Sequence, residues 1–122
     1  MDFLFVHGNY PAQFLHLAPL LGQSKNNRVV FLTAREDEIT ERLSGVEIRL
    51  FSTHRNPHPE THHYLTATEE AVLRGQAVLR ELDQMVKSGF RPQVVVSHGG
   101  MGLGLFIKDL LPETLHIGYF EW

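Results

Sequence analysis

Hydrophobic positions along this chain come in two kinds of run that alternate. Phe3–Val6, Val29–Leu32 and Val94–Val96 are short and continuously apolar, the pattern of strands covered on both faces. Leu115–Phe120 makes a further strand, and Val46, Ile48 and Leu50 alternate with Glu47, Arg49 and Phe51. The alternation predicts an edge strand with one less buried face. Between these runs the apolar spacing is helical. Phe14, Ala18 and Leu21 share one helical face that Leu15 extends, with Pro11 placed to open the helix and Pro19 expected to kink its last turn. In 35–44 only Ile39 and Leu43 stand at i,i+4, predicting a short surface helix that Gly45 ends.

Residues 53–63 hold two prolines and almost no aliphatic side chain, so they read as a loop. The longest helix follows. Thr66 and Glu69 have capping-box spacing, and Ala71, Val72, Gly75, Val78, Leu79, Leu82, Met85 and Val86 trace an apolar stripe in which Gly75 is expected to let the helix lie close to a sheet. Lys87 and Gly89 are stop signals, and Pro92 precedes the next strand. A glycine-rich turn, His98–Gly102, leads into a helix containing Leu105, Phe106, Leu110 and Leu111, which Pro112 closes. Strands alternating with helices imply an α/β, Rossmann-like three-layer domain with a parallel sheet of about five strands in the order 3-2-1-4-5.

Composition narrows the picture. At 122 residues and 43% hydrophobic, the chain supports one core and one domain spanning 1–122. A net charge of -3 offers no basic field, so nucleic acid is excluded as a partner. The absence of cysteine removes disulfides, thiolate metal sites and Cys nucleophiles. Asp2 stands where a signal peptide needs basic residues, and no apolar stretch approaches the roughly 20 residues of a transmembrane helix. The expectation is a cytoplasmic protein that touches the inner membrane face at most peripherally. The chain stops directly after a strand, which predicts a domain cut from a longer protein.

Ligands of open α/β sheets bind outside the carboxyl ends of the strands, where strand order reverses. In the order 3-2-1-4-5 the loops at His7 and at His98 are neighbours across that point. Glycine lets backbone N–H groups approach a ligand, and a histidine at a strand's carboxyl end can bond a sugar hydroxyl or steady a developing charge, although either feature also serves a plain tight turn. Gly100, Gly102 and Gly104 do not form a dinucleotide fingerprint, because the third glycine comes one residue early and the motif follows the fourth strand. No Gly-Lys-Ser or Gly-Lys-Thr phosphate loop and no Gly-x-Ser-x-Gly elbow occurs. His54, His58, His62 and His63 have metal-like spacing, yet a proline-rich loop with only Glu60 beside it lacks rigid geometry, so no metal site is expected.

Three stretches resemble the N-terminal domain of bacterial glycosyltransferase family 4 proteins: Phe5–Phe14 with His16–Pro19; Thr61–Leu65 with Glu69–Ala77; and His98–Gly102 with Phe106–Asp109 and Ile117–Glu121. The resemblance implies a GT-B enzyme, in which two Rossmann-like domains face across a cleft. This half would hold a sugar or other hydroxyl acceptor, and a C-terminal half would bind the nucleotide-sugar donor and supply a glutamate motif. It implies retaining transfer without metal or other cofactor. It places His98 at the transferred sugar as the catalytic residue, and His7, Gly8, Asn9, Tyr10, Gly99, Gly100, Met101 and Gly102 along the substrate. The family usually has a proline, an aromatic and an acidic residue where this chain has Gly99, Met101 and Leu103. A non-catalytic Rossmann-like binding or regulatory module, and half of a sugar-nucleotide epimerase, are the competing readings.

Overall fold

Five parallel strands, β1 (Asp2–Val6), β2 (Arg28–Thr33), β3 (Val46–Leu50), β4 (Val94–His98) and β5 (Leu115–Tyr119), form one sheet in the order β3-β2-β1-β4-β5. This is the computed structural model of the chain, and it describes residues 1–37 and 39–121. The order is the expected one, with the reversal between β1 and β4. Successive side chains of a strand point to opposite faces, which is why the central strands are apolar throughout. Leu4, Val6, Val30, Leu32 and Val95 face the long helix α2 (Thr66–Lys87) and its buried Ala77, Val78, Leu82 and Met85. Phe5, Val29, Phe31 and Val96 face Tyr10, Phe14 and Ala18. Phe5 and Phe31 are fully buried, and each such ring contributes roughly 1.5–3 kcal/mol.

Several local expectations are corrected. The segment after β1 is a 3-10 turn, Ala12–Phe14, followed by a separate helix α1, Leu17–Gly22. Pro19 therefore lies in the first turn of α1, where its missing N–H costs no intrahelical bond, and it does not kink a last turn. Leu15 is exposed and does not extend the buried face. Apart from Glu38, which lies outside the described residues, 35–44 is not helical, although Ile39 and Leu43 do pack on the β1–β2 aromatic cluster.

The capping box of α2 does not form: Leu65 occupies the N-cap, and Glu69 instead binds the preceding loop. Its carboxylate accepts from the Thr61 hydroxyl, from Arg55 at 2.7 Å and from the His58 amide at 3.3 Å. Those partners, Thr61 foremost, lower its pKa to about 2. Gly75 meets the glycine-rich turn rather than the sheet, since a Cβ there would lie 2.7 Å from the Gly102 carbonyl oxygen and 3.0 Å from the Phe106 ring. The helix after that turn is only α3, Ile107–Leu110.

Candidate functional site

Two loops leave the carboxyl ends of the central strands β1 and β4, and their first side chains meet. The His7 and His98 rings are tilted against each other with centroids 4.5 Å apart. The Asn9 amide donates to His7 Nδ1 at 2.8 Å, which leaves the proton of the neutral ring on Nε2. Burial, then the His98 ring, pushes the His7 pKa below its ordinary 6.5, with Gln13 and Glu121 opposing. His98 Nε2 stands 3.5 Å from Glu121 Oε2, and the other oxygen of that carboxylate accepts from Gln13 Nε2 at 2.5 Å. Among the described residues, His7 Nε2 and His98 Nδ1 are buried with no hydrogen-bond partner. Unsatisfied imidazole nitrogens on two rings in contact are unusual in a folded interior.

The remaining sequence-derived residues divide between two cavities. Gly8, Asn9 and Met101 line one of about 330 Å³ together with Arg35, Phe51 and Arg74. His98, Gly99, Gly100 and Gly102 line another of about 360 Å³, with Ser97 and His116 in its wall. Leu103 borders both. Tyr10 reaches neither: its ring is buried edge-on to Phe31 with centroids 4.9 Å apart, and its hydroxyl accepts from the Leu43 amide at 2.8 Å. The Gly8 carbonyl is held by the Thr33 hydroxyl at 3.2 Å and the Ala34 amide at 3.4 Å.

The turn after β4 is secured differently. Gly100 and Gly102 have φ of +87° and +81°, Gly102 abuts the Ala71 backbone, and Gly99 lies against the Phe120 ring. The Gly99 amide donates to the Tyr119 carbonyl at 2.6 Å. Side chains longer than hydrogen would fill these contacts.

Residues 25–122 match the family model described as "Glycosyl transferase family 4 group". The chain belongs to that family. Membership makes it a glycosyltransferase-type domain, with a sugar donor and an acceptor as partners in general terms. Among curated proteins, none matches the chain. The match covers the glycine turn and α2 of this family 4 chain, whereas the His7–Tyr10 loop lies before it.

Sequence reasoning missed several groups of this site. Ser97 Oγ and His116 Nε2 are 2.7 Å apart under the glycine turn, where burial and then Lys108 hold His116 below its ordinary 6.5. The available signal was His116 at a covered position of an otherwise apolar strand. Glu121 and Gln13 gave none, because exposed polar residues in loops are ordinary. The four histidines 54, 58, 62 and 63 gather into no metal-ligand group; among the described residues no cluster of three or more His, Cys, Asp or Glu has that arrangement. His62 and His63 instead stack at the surface, with the Tyr64 ring edge-on to both. Among the described residues no helix is long and apolar enough to cross a membrane.

Proposed function

We propose that this chain is the acceptor-side domain of a retaining glycosyltransferase that moves a sugar from a nucleotide-sugar to a hydroxyl acceptor, the donor being held chiefly by a second α/β domain. The observation that supports this beyond family membership is the His7–His98 pair at the switch point between β1 and β4. His7 Nε2 is a hydrogen-bond donor in the neutral ring, and His98 Nδ1 becomes an acceptor when Nε2–H points to Glu121. One donor nitrogen and one acceptor nitrogen are the complement of a hydroxyl, which accepts from the first and donates to the second. Both nitrogens are covered in the folded chain, so a substrate hydroxyl reaches them only when neighbouring groups give way.

In this reading His98 is the catalytic residue, contacting the transferred sugar near the reacting centre, and Gly99, Gly100 and Gly102 leave room for the sugar beside it. His98→Ala in the two-domain enzyme is expected to lower turnover by about 10²-fold or more. Stability should change little, because the polar contact of the His98 ring is the long one to Glu121, beside its ring contact with His7. Donor turnover and thermal unfolding on one preparation decide the matter. An unchanged rate retires His98 as a catalytic residue, and a loss of roughly 1–2 kcal/mol of stability with intact turnover makes it a structural one. The 122-residue chain alone should not turn over any nucleotide-sugar, because transfer requires both reactants held together.

A further inference from the structure

Three glycines around the carboxyl ends of β4 and β5 have no conformational reason to be glycine. The positive φ values of this region belong to Gly100 and Gly102, whereas Gly99, Gly104 and Gly118 have backbones that other residues adopt. What these three provide is space. A Cβ on Gly99 would run into the Phe120 ring, and one on Gly118 would stand 2.7 Å from Cε2 of the same ring. A Cβ on Gly104 would stand 2.7 Å from Ser97 Oγ and 2.9 Å from His116 Cε1. Two of the glycines thus seat an aromatic ring and the third admits a polar pair. All of these groups line the cavity of about 360 Å³ to which His98 also belongs.

The ring and the pair offer complementary chemistry. Phe120 has the two glycines behind it and is still 70% exposed, so it presents an apolar ring face to a ligand. Ser97 is buried, and its hydroxyl meets His116 Nε2 at 2.7 Å, which leaves the imidazole Nδ1 for a ligand hydroxyl. Replacing both partners of such a bond by apolar groups of the same shape is close to neutral for stability, so packing alone gives no reason for a serine and a histidine here.

We infer that this cavity is the seat of a pyranose, with a face of the sugar against the Phe120 ring and a hydroxyl on His116, and that these two side chains select it. The inference rests on the catalytic reading above, in which the transferred sugar stands beside His98, and it names the residues that recognise that sugar. Ser97 acts through His116, as a positioning residue. The C–H bonds on a pyranose face carry partial positive charge, and an aromatic face is the negative side of the ring's quadrupole. A cavity of about 360 Å³ is at the small end of ligand pockets and suits one sugar ring. Nucleobases stack on aromatic rings as well, but a base in this cavity would take the place beside His98 that the sugar needs.

The test is a titration of the ¹⁵N-labelled 122-residue chain with glucose, galactose, N-acetylglucosamine and uridine. It is repeated on Phe120→Leu, on Phe120→Tyr and on the double variant Ser97→Ala with His116→Leu. Phe120 is exposed, so leucine or tyrosine there keeps the fold. At least one sugar is expected to shift the Gly99, Gly100 and Gly104 amides saturably, while uridine leaves them in place. For that sugar Phe120→Leu should weaken binding by about fivefold or more, because leucine keeps apolar area and loses the ring face, and Phe120→Tyr should restore it. The double variant should also weaken it by about fivefold, through the lost hydroxyl partner. No shift of those amides by any of the three sugars overturns the inference. So does a uridine response at the same amides, or a sugar affinity that survives either Phe120→Leu or the double variant. The catalytic reading beneath it is judged separately, by turnover of His98→Ala in the two-domain enzyme.

Discussion

The loop after β1 and the turn after β4 leave neighbouring strands on the same edge of the sheet, yet they are fixed by opposite means. The first is fastened by what its side chains and carbonyls bond: Tyr10 to the Leu43 amide, His7 to the Asn9 amide, Gly8 to Thr33 and Ala34. The second is fastened by what it lacks, with glycines pressed onto the backbone of α2 and onto Phe120. The difference teaches where each can vary. A bonded loop loses one interaction per substitution, whereas a turn built on close approach has no room to lose.

The largest effect should come from Gly102→Ala. Its φ of +81° disfavours a side chain, and its Cβ would strike the Ala71 backbone rather than a movable side chain. We expect destabilisation of about 3 kcal/mol or more, read from chemical unfolding. Gly100→Ala is the control, since it shares the positive φ but opens into empty space, and it should cost only about 1 kcal/mol. Equal losses at the two positions would mean that backbone conformation, and not contact with α2, holds the turn.

Tyr10→Phe comes next. It keeps the buried ring and leaves the Leu43 amide without its acceptor, for an expected loss of about 1–2 kcal/mol. A loss near zero would show that water replaces the hydroxyl, and that the loop is held by the ring alone.

The smallest effect is on pH dependence, and it compares the two regions directly. His7 beside the first loop and His116 beneath the second are both held below their ordinary 6.5, chiefly by burial. A histidine whose pKa falls on folding binds fewer protons in the native state, so its contribution to stability is full above the unfolded pKa and is lost as pH falls through it. The melting temperature is therefore expected to decline as pH drops below about 6.5. His7→Gln and His116→Gln should each flatten part of that decline, and a curve unchanged in both would place its origin elsewhere.

Much of this architecture was legible because central parallel strands must be apolar on both faces. Phe3–Val6, Val29–Leu32 and Val94–Val96 announced themselves, and the glycines after His98 marked a close turn. Partners supplied by distant segments were not legible. Thr66 and Glu69 have the spacing of a cap, but Glu69 found stronger donors in Arg55 and Thr61, which the sequence leaves in an unrelated loop. Leu73 and Ala77 fall outside the expected stripe of α2 and are buried because the glycine turn and the sheet cover more than one side of the helix. Of the candidate site, the loops were legible as loops. The pairing of His7 with His98 depended on strand order, and Arg74 looks in sequence like any charge on a helix face.

The outer strand β5 has one more consequence. Leu115, Ile117 and Tyr119 are exposed on the face that α1 covers elsewhere, where the Phe14 ring meets the Tyr119 ring edge-on. Among the described residues β5 is also an unpaired sheet edge. An apolar strip along an open edge is where strands of separate molecules join, and a net charge of -3 offers weak colloidal repulsion against it. Concentrated solutions of this chain should therefore self-associate through β5 first, and a lysine at Ile117 should raise its solubility limit.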